Sequence, residues 1–300
     1  MTHAISKAIV PAAGLGTRLL PATKSQPKEM LPVARKPVIQ YVVEELQGAG
    51  LTQILIITGR RKRAIEDHFD PDPALNSALE QAGNEKLLFE LADVQDKARF
   101  FYTSQSSPRG LGDAVLHGAE FADSEDIVVA LGDSMIAGED AAAPLRAMIA
   151  AHQELKAAAV VAVEHVPPDE THRYGIVSPK VAGAAAGEPV LMADIVEKPS
   201  RGTAPSTMAV AARYVFSPAI FDVLRRVMPD RRGEVQLTDA IRLLIQMGQP
   251  VYAWLLPPDH PRYDVGNFES YFRAFIDFAL ADEQYGYLVR QYIKSKAYEL

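Results

Sequence analysis

The 300-residue sequence contains no cysteine. That single absence excludes disulfides, iron–sulfur clusters, thiolate zinc sites and thiol nucleophiles. An excess of positive charge is missing too: 31 Lys and Arg stand against 38 Asp and Glu, a formal net charge of −7. General nucleic-acid binding needs a basic footprint, so that class is set aside. A lone nucleotide is not, because its phosphates need only a local patch of cations or a metal. Long apolar runs are also lacking. The longest uncharged stretch, Leu243 to Pro258, has 16 residues and is broken by Gln246, Gly248, Gln249, Pro250 and a Pro-Pro end. It is too short to cross a bilayer. The first residues have neither the basic nor the apolar region of a signal peptide. The expectation is a cytoplasmic protein, with no membrane and no nucleic acid among its partners.

What is present is ordinary for a packed globule. Hydrophobic residues make up 48% and charged ones 23%, which rules out wholesale disorder. Ala8–Pro11, Ile54–Thr58, Phe100–Thr103, Ile127–Leu131 and Ala158–Val163 are short, often β-branched runs. They predict strands buried on both faces. Between them Pro37–Leu46, Arg60–Phe69, Leu111–Phe121 and Ala141–Leu155 predict helices, and 71–98 a helical insertion. Strand–helix alternation points to a parallel sheet with helices on both faces. After residue 164 the rhythm changes. Gly175–Pro179, Leu191–Glu197 and Ala209–Phe216 predict antiparallel additions, with a hairpin loop at 182–187. Helices return at Pro218–Val227 and Leu237–Met247, followed by a strand at Val251–Leu256 and a mostly helical, aromatic end from Phe268 to about Lys296.

The first strand runs into Ala12-Ala13-Gly14-Leu15-Gly16-Thr17-Arg18. A glycine-rich turn after a first strand is where α/β proteins cradle phosphate on backbone N–H groups. Two familiar patterns fail here. The dinucleotide pattern G-x-G-x-x-G needs a third glycine where Leu19 stands, and no Gly-Lys-Ser/Thr follows for a P-loop. Beyond the turn come Pro21-Ala22-Thr23-Lys24 and Pro27-Lys28-Glu29-Met30-Leu31-Pro32. Further motifs follow in order: Gln40 to Glu45, Gly110-Leu111-Gly112, Leu131-Gly132-Asp133, Tyr174 to Val177, Val196 to Pro199, Gln236 to Ile241 and Asp264 to Asn267.

Taken together, these runs resemble the sugar-nucleotide nucleotidyltransferases over nearly the whole chain. Glu29 after the lysine, where most relatives carry Pro, is similar to the bacterial UTP–glucose-1-phosphate uridylyltransferase branch. Asp113 departs from the histidine common in the family. The resemblance implies a Rossmann-like three-layer α/β/α nucleotidyltransferase fold with a mixed, mainly parallel central sheet. It implies one domain, residues 1–300: a nucleotide-binding half (1–163), a sugar-binding half (164–266) and a C-terminal helical segment (267–300).

It also implies roles. Ala12, Ala13, Gly14, Gly16, Thr17, Gln105 and Gly110 would bind the nucleotide, UTP. Gly132, Tyr174, Gly175, Glu197 and Lys198 would bind glucose 1-phosphate. Arg18, Lys28, Asp133 and Lys198 would be catalytic, and Asp133 with Asp264 would hold Mg²⁺. Lys24 is an open candidate. A carboxamide at Gln105 suits an edge presenting N3–H beside a carbonyl. The chemistry agrees with the residues. A phosphate monoester, with a second pKa of roughly 6, is already ionised at neutral pH. No general base is needed, so catalysis becomes positioning plus charge neutralisation.

Thr238 and Asp239 look like a helix start and are left structural. Phe268, Tyr271, Phe272, Phe275 and Phe278 form one broad helical stripe. Most of it should cap the parent domain. The remainder, with the family's habit, suggests a homodimer or homotetramer. Two alternatives stay open: transfer from dTTP or to another sugar 1-phosphate, and a regulatory nucleotide-sugar binder without catalysis. The second would be expected to lack Arg18, Lys28 or Asp133, and all three are present.

Overall fold

The computed structural model describes residues 4–297 apart from 182 and 184. Strand β1 (Lys7–Pro11) leads through 3-10 turns at Thr17–Leu19 and Lys28–Met30 to a small hairpin, β2 (Pro32–Val33) and β3 (Lys36–Pro37). Next come α1 (Val38–Gly48), β4 (Gln53–Thr58), α2 (Arg63–Phe69), α3 (Pro73–Gln81), α4 (Glu85–Asp96) and β5 (Arg99–Ser104). The middle of the chain holds α5 (Leu111–Leu116), α6 (Ala119–Ala122), β6 (Ile127–Ala130), β7 (Ser134–Ile136), α7 (Ala143–Leu155) and β8 (Ala159–His165). Strands β9 (Gly175–Pro179), β10 (Pro189–Glu197) and β11 (Met208–Phe216) follow, then α8 (Ala219–Leu224) and α9 (Leu237–Gln246). The chain closes with β12 (Val251–Leu255), β13 (Arg262–Asp264), α10 (Phe268–Ala281) and α11 (Gly286–Ala297).

Nine strands form one sheet in the order β5-β4-β1-β6-β11-β8-β12-β10-β9. The pairs β1–β4, β1–β6, β4–β5 and β8–β12 are parallel, and only β11 and β10 run against the rest. One face is covered by α5, α8 and α9, the other by α1, α2 and α7, giving three layers. A third cluster joins α10 to the β2–β3 hairpin through Leu19, Val33, Val265 and Ala274. Helix α1 shows how the layers form. Ile39, Val42, Val43 and Leu46 recur at helical spacing and are fully buried, and the helix stops at Gly50, whose φ is +89°.

The structure departs from the sequence-based expectations in a few places. Strand β5 is not buried on both faces: it lies at the sheet edge with both ends exposed. The stretch Leu111–Phe121 is two helices rather than one. At the break, a Cβ on Gly118 would sit 2.3 Å from Ile9 Cδ1, so glycine lets the chain press against β1. The expected hairpin loop at 182–187 lies partly outside the described residues. The pairings β2–β3 and β7–β13 were not foreseen, being two or three residues long. A bulge in β11 between Val210 and Tyr214 puts Ala212 at φ +60° and turns Arg213 toward α1. No described helix is long and apolar enough to cross a membrane.

Candidate active site

The parallel strands β5, β4, β1 and β6 lie side by side in that order, and the loops after them enclose a crevice where α/β sheets take their ligands. Past β1, Ala12 and Ala13 are buried while Gly14, Thr17 and Arg18 are exposed. Gly16 takes φ +65°, which opens the following 3-10 turn. The Thr23 hydroxyl donates to the Gly16 carbonyl at 2.7 Å and holds the loop from the side. This loop bounds a cavity of about 410 Å³ that Lys28, Gln105, Gly110, Asp133 and Gly266 also line. Lys24 lies outside it. It lines an adjoining hollow with Arg60 and Arg61, which shares Gly14, Thr17 and Gln105 with the first.

The Lys28 ammonium contacts the Asp133 carboxylate. Burial alone would push the Asp133 carboxyl up, but the ammonium outweighs it and holds the group below the ordinary range. Burial pulls Lys28 down in turn, and the charges of Asp133 and Glu29 more than offset it. Asp264 arrives through the β7–β13 pairing, which sets it opposite Ser134, and the Val265 N–H donates to the Asp133 carbonyl at 2.9 Å. Its carboxyl is pushed up, first by burial and then by the charge of Asp133. A Cβ on Gly266 would lie 3.1 Å from the Asp264 carboxylate and 3.2 Å from the Arg18 guanidinium, so glycine keeps these groups together.

Two buried ion pairs underlie this cluster. Lys62, 7% exposed, donates to both oxygens of Glu29, 1% exposed, at 2.8 and 2.9 Å, and also to the Ala12 carbonyl. Burial lowers the Lys62 ammonium and raises the Glu29 carboxyl. One ammonium thus ties the end of β1 to the segment that carries Lys28. Arg213, 1% exposed, donates in bidentate fashion to Glu45 at 2.8 and 2.6 Å and donates to the Ser134 carbonyl at 2.8 Å, next to Asp133.

Gln105, just past β5, is buried against the start of α5. Its Nε2 donates to Asp113 at 2.7 Å and lies 3.4 Å from the Gly110 carbonyl. The expected carboxamide pairing to N3–H and a carbonyl together is therefore not available as drawn, because the amide nitrogen already has partners. Gly110 has φ +96°, and a Cβ there would meet the Val235 carbonyl at 2.5 Å. The Val235 N–H donates to Arg109 at 2.7 Å and the Gly112 N–H to Val235 at 2.8 Å. Val235 thus braces the Gly110–Gly112 turn from behind, and Glu234 beside it lines the pocket.

The residues expected to read the sugar phosphate form a second group, outside the 410 Å³ cavity. The β9–β10 register sets Gly175 opposite Glu197. Lys198 adopts φ +41°, donates its N–H to the Tyr174 carbonyl at 3.0 Å and lies 3.0 Å from the Glu197 carboxylate. Arg262, on β13 two residues before Asp264, stacks 5.7 Å from the Tyr174 ring centre and is anchored by Glu164, connecting the two groups. Gly132 sits between them, its N–H donating to the Pro11 carbonyl at 3.2 Å.

Thr238 is a correction. It does begin α9, but its hydroxyl also donates to Glu197 at 2.7 Å, and a Cβ on Gly175 would come within 3.2 Å of that hydroxyl. Its place beside the Gln236-Leu237 motif was the available signal. Lys62 and Arg213 were missed altogether, while Asp113 was noted only as a departure from the family pattern and Glu45 only as the end of a motif.

Two carboxylates whose mutual repulsion a cation would relieve suit a hard divalent ion, which takes oxygen ligands and keeps waters and phosphates for the rest. The described residues contain no cluster of three or more His, Asp or Glu able to cage a metal alone, and Mg²⁺ sites beside phosphates do not require one.

Cations and carboxylates gathered round a glycine loop at the strand ends define a phosphate-handling α/β enzyme. Residues 7–279 match the family model described as nucleotidyl transferase, and the chain belongs to that family. It is 42% identical over 280 residues, 93% of each chain, to the UTP–glucose-1-phosphate uridylyltransferase of Bacillus subtilis (strain 168). Among solved structures it resembles a UTP-bound UGPase from Acinetobacter baumannii, with a TM-score of 0.88, 36% identity, and coverage of 96% of this chain and 98% of that one. It also resembles a UDP-glucose pyrophosphorylase complexed with UDP-glucose, with a TM-score of 0.82, 35% identity, and coverage of 93% and 100%.

Proposed function

We propose that this chain transfers the uridylyl group of UTP to α-D-glucose 1-phosphate, giving UDP-glucose and pyrophosphate. The observation that carries the reading is the convergence of Arg18, Lys28, Asp133 and Asp264 on one glycine loop. The backbone from Ala12 to Thr17 cradles the triphosphate. Arg18 neutralises its outer phosphates and Lys28 the oxygens of the α-phosphate under attack. Gln105, Ala13 and Gly110 hold the base. Glu197 accepts from sugar hydroxyls, Tyr174, Gly175 and Gly132 admit the ring closely, and Lys198 meets the sugar phosphate as a point charge. Asp133 and Asp264 would hold Mg²⁺, which when bound offsets triphosphate charge. The attacking phosphate oxygen is already ionised, so these residues align two anions and suppress their repulsion without abstracting a proton.

The reading treats residues 1–300 as one cytoplasmic domain, with 1–163 serving the nucleotide, 164–266 the sugar and 267–300 the helical end. Phe272 and Phe275 on α10 and Tyr287, Leu288 and Tyr292 on α11 are exposed, a patch that supports a homodimer or homotetramer. The deciding experiment incubates the protein with Mg²⁺, glucose 1-phosphate and each of UTP, dTTP, ATP, CTP and GTP, following pyrophosphate. UTP should lead. Release from a purine nucleotide alone, or none from any, would overturn the reading. Light scattering should report a particle larger than the 32.7 kDa chain.

A further inference from the structure

We infer that Asp113 sets the base preference of the cavity by holding the Gln105 carboxamide in one orientation. This deepens the uridylyl-transfer reading and rests on it. Asp113 stands in the first turn of α5, and its Oδ2 is 2.7 Å from Gln105 Nε2. An ionised carboxylate only accepts hydrogen bonds, so it must face the donor end of the amide. The Gly110 carbonyl, 3.4 Å from the same nitrogen, is also an acceptor and favours the same orientation. His117 Nε2 is 3.6 Å from Asp113 Oδ2, beyond hydrogen-bond distance, and does not displace Gln105. Gln105 is 5% exposed, which leaves its amide little freedom to turn on its own.

With both amide hydrogens directed at acceptors of the protein, Oε1 is the hydrogen-bonding atom left for a ligand. It accepts and cannot donate. Uracil presents N3–H at the middle of its pairing edge and satisfies that acceptor. Cytosine presents a bare N3, so two lone pairs would meet. Thymine has the same edge as uracil and is not distinguished by this device. Asp113 is thus a positioning residue that selects a protonated pyrimidine N3 without touching the base.

The test compares kcat/KM for UTP, CTP and dTTP in the wild type and in Asp113→Asn. Asparagine can turn its own nitrogen toward Gln105, which frees the glutamine to reverse and donate to cytosine. The UTP-to-CTP ratio should fall about tenfold, the scale of one hydrogen bond matched or opposed, while the UTP-to-dTTP ratio stays within twofold. An unchanged UTP-to-CTP ratio, or an equal loss on all three nucleotides, would overturn the proposal. A second measurement needs neither a folded Asp113 variant nor turnover. The Gln105 side-chain amide resonances of the wild-type protein, assigned by their disappearance in Gln105→Leu, should exchange hydrogen more slowly than those of exposed glutamines. Exchange at the exposed rate would show that Asp113 does not hold the amide. Turnover of UTP by the wild type separately tests the underlying function.

Discussion

At the glycine-loop end of the site, Lys62 with Glu29 and Arg213 with Glu45 are buried ion pairs, and Lys28 with Asp133 is nearly so. At the Glu197 end Arg262 is buried against Glu164 and links the two ends, but the cation beside Glu197 is Lys198, whose side chain is 57% exposed and pairs with that neighbour. On the proposed reading, the two ends handle the same kind of charge with opposite construction. Buried pairs cost desolvation but fix backbone and side chains before any ligand arrives. An exposed pair contributes little to stability and leaves its ammonium free to swing toward an incoming phosphate. The same reading makes the first end a preformed mould for a large polyanion and leaves the second to be completed by what it binds.

The strongest way to break this contrast is Arg213→Met. It strands the buried Glu45 carboxylate and removes the donor to the Ser134 carbonyl, so unfolding in denaturant should come earlier by about 3–5 kcal/mol. Adding Glu45→Leu should restore most of that loss, because the unpaired charge is then gone. Next is Asp133→Asn. Its circular dichroism should match the wild type while pyrophosphate release falls by roughly 10²–10³. Near-normal turnover at saturating Mg²⁺ would remove Asp133 from the metal site. A smaller effect is expected from Thr238→Val, which deletes the hydroxyl that holds Glu197. The KM for glucose 1-phosphate should rise about tenfold with the KM for UTP little changed, and equal shifts in both would return Thr238 to a purely structural role. The smallest stability change belongs to Lys198→Ala. Its denaturation midpoint should move by no more than about 0.5 kcal/mol, although turnover should drop for every sugar phosphate offered. A large loss of stability would mean that the second end is as firmly built as the first.

Much of the architecture was legible from periodicity. Strands β1, β4, β6 and β8 are apolar, β-branched runs because they lie inside the sheet, and α1 shows its buried face in the spacing of Ile39, Val42, Val43 and Leu46. Legibility failed where few residues carry the structure. Strands β7 and β13 have three residues each, and no period can be read from three. The adjacency of Asp133 and Asp264 therefore came only through family resemblance. Arg213 reaches Glu45 across 168 positions because a bulge turns it, and a local pattern does not encode such a turn. Thr238 shows a subtler limit. A threonine at a helix start reads as helix chemistry, and its hydroxyl goes elsewhere only because β10 ends beside it. Asp113 looked like a departure from the family, and its contact with Gln105 became visible only once the start of α5 lay against the end of β5.

The pairing of β13 with β7 also has a consequence for biosynthesis. Asp133 and Asp264 are 131 residues apart in the chain. At ordinary translation speeds the second leaves the ribosome's catalytic centre roughly 7 to 26 s after the first. Through that interval the nascent chain already contains Lys28, the cation that Asp133 contacts in the finished protein. The first carboxylate can therefore be neutralised within its own half while the second is still being made. The growing chain carries a cation for its first carboxylate from the start, and its two-carboxylate centre can close only once β13 has been made.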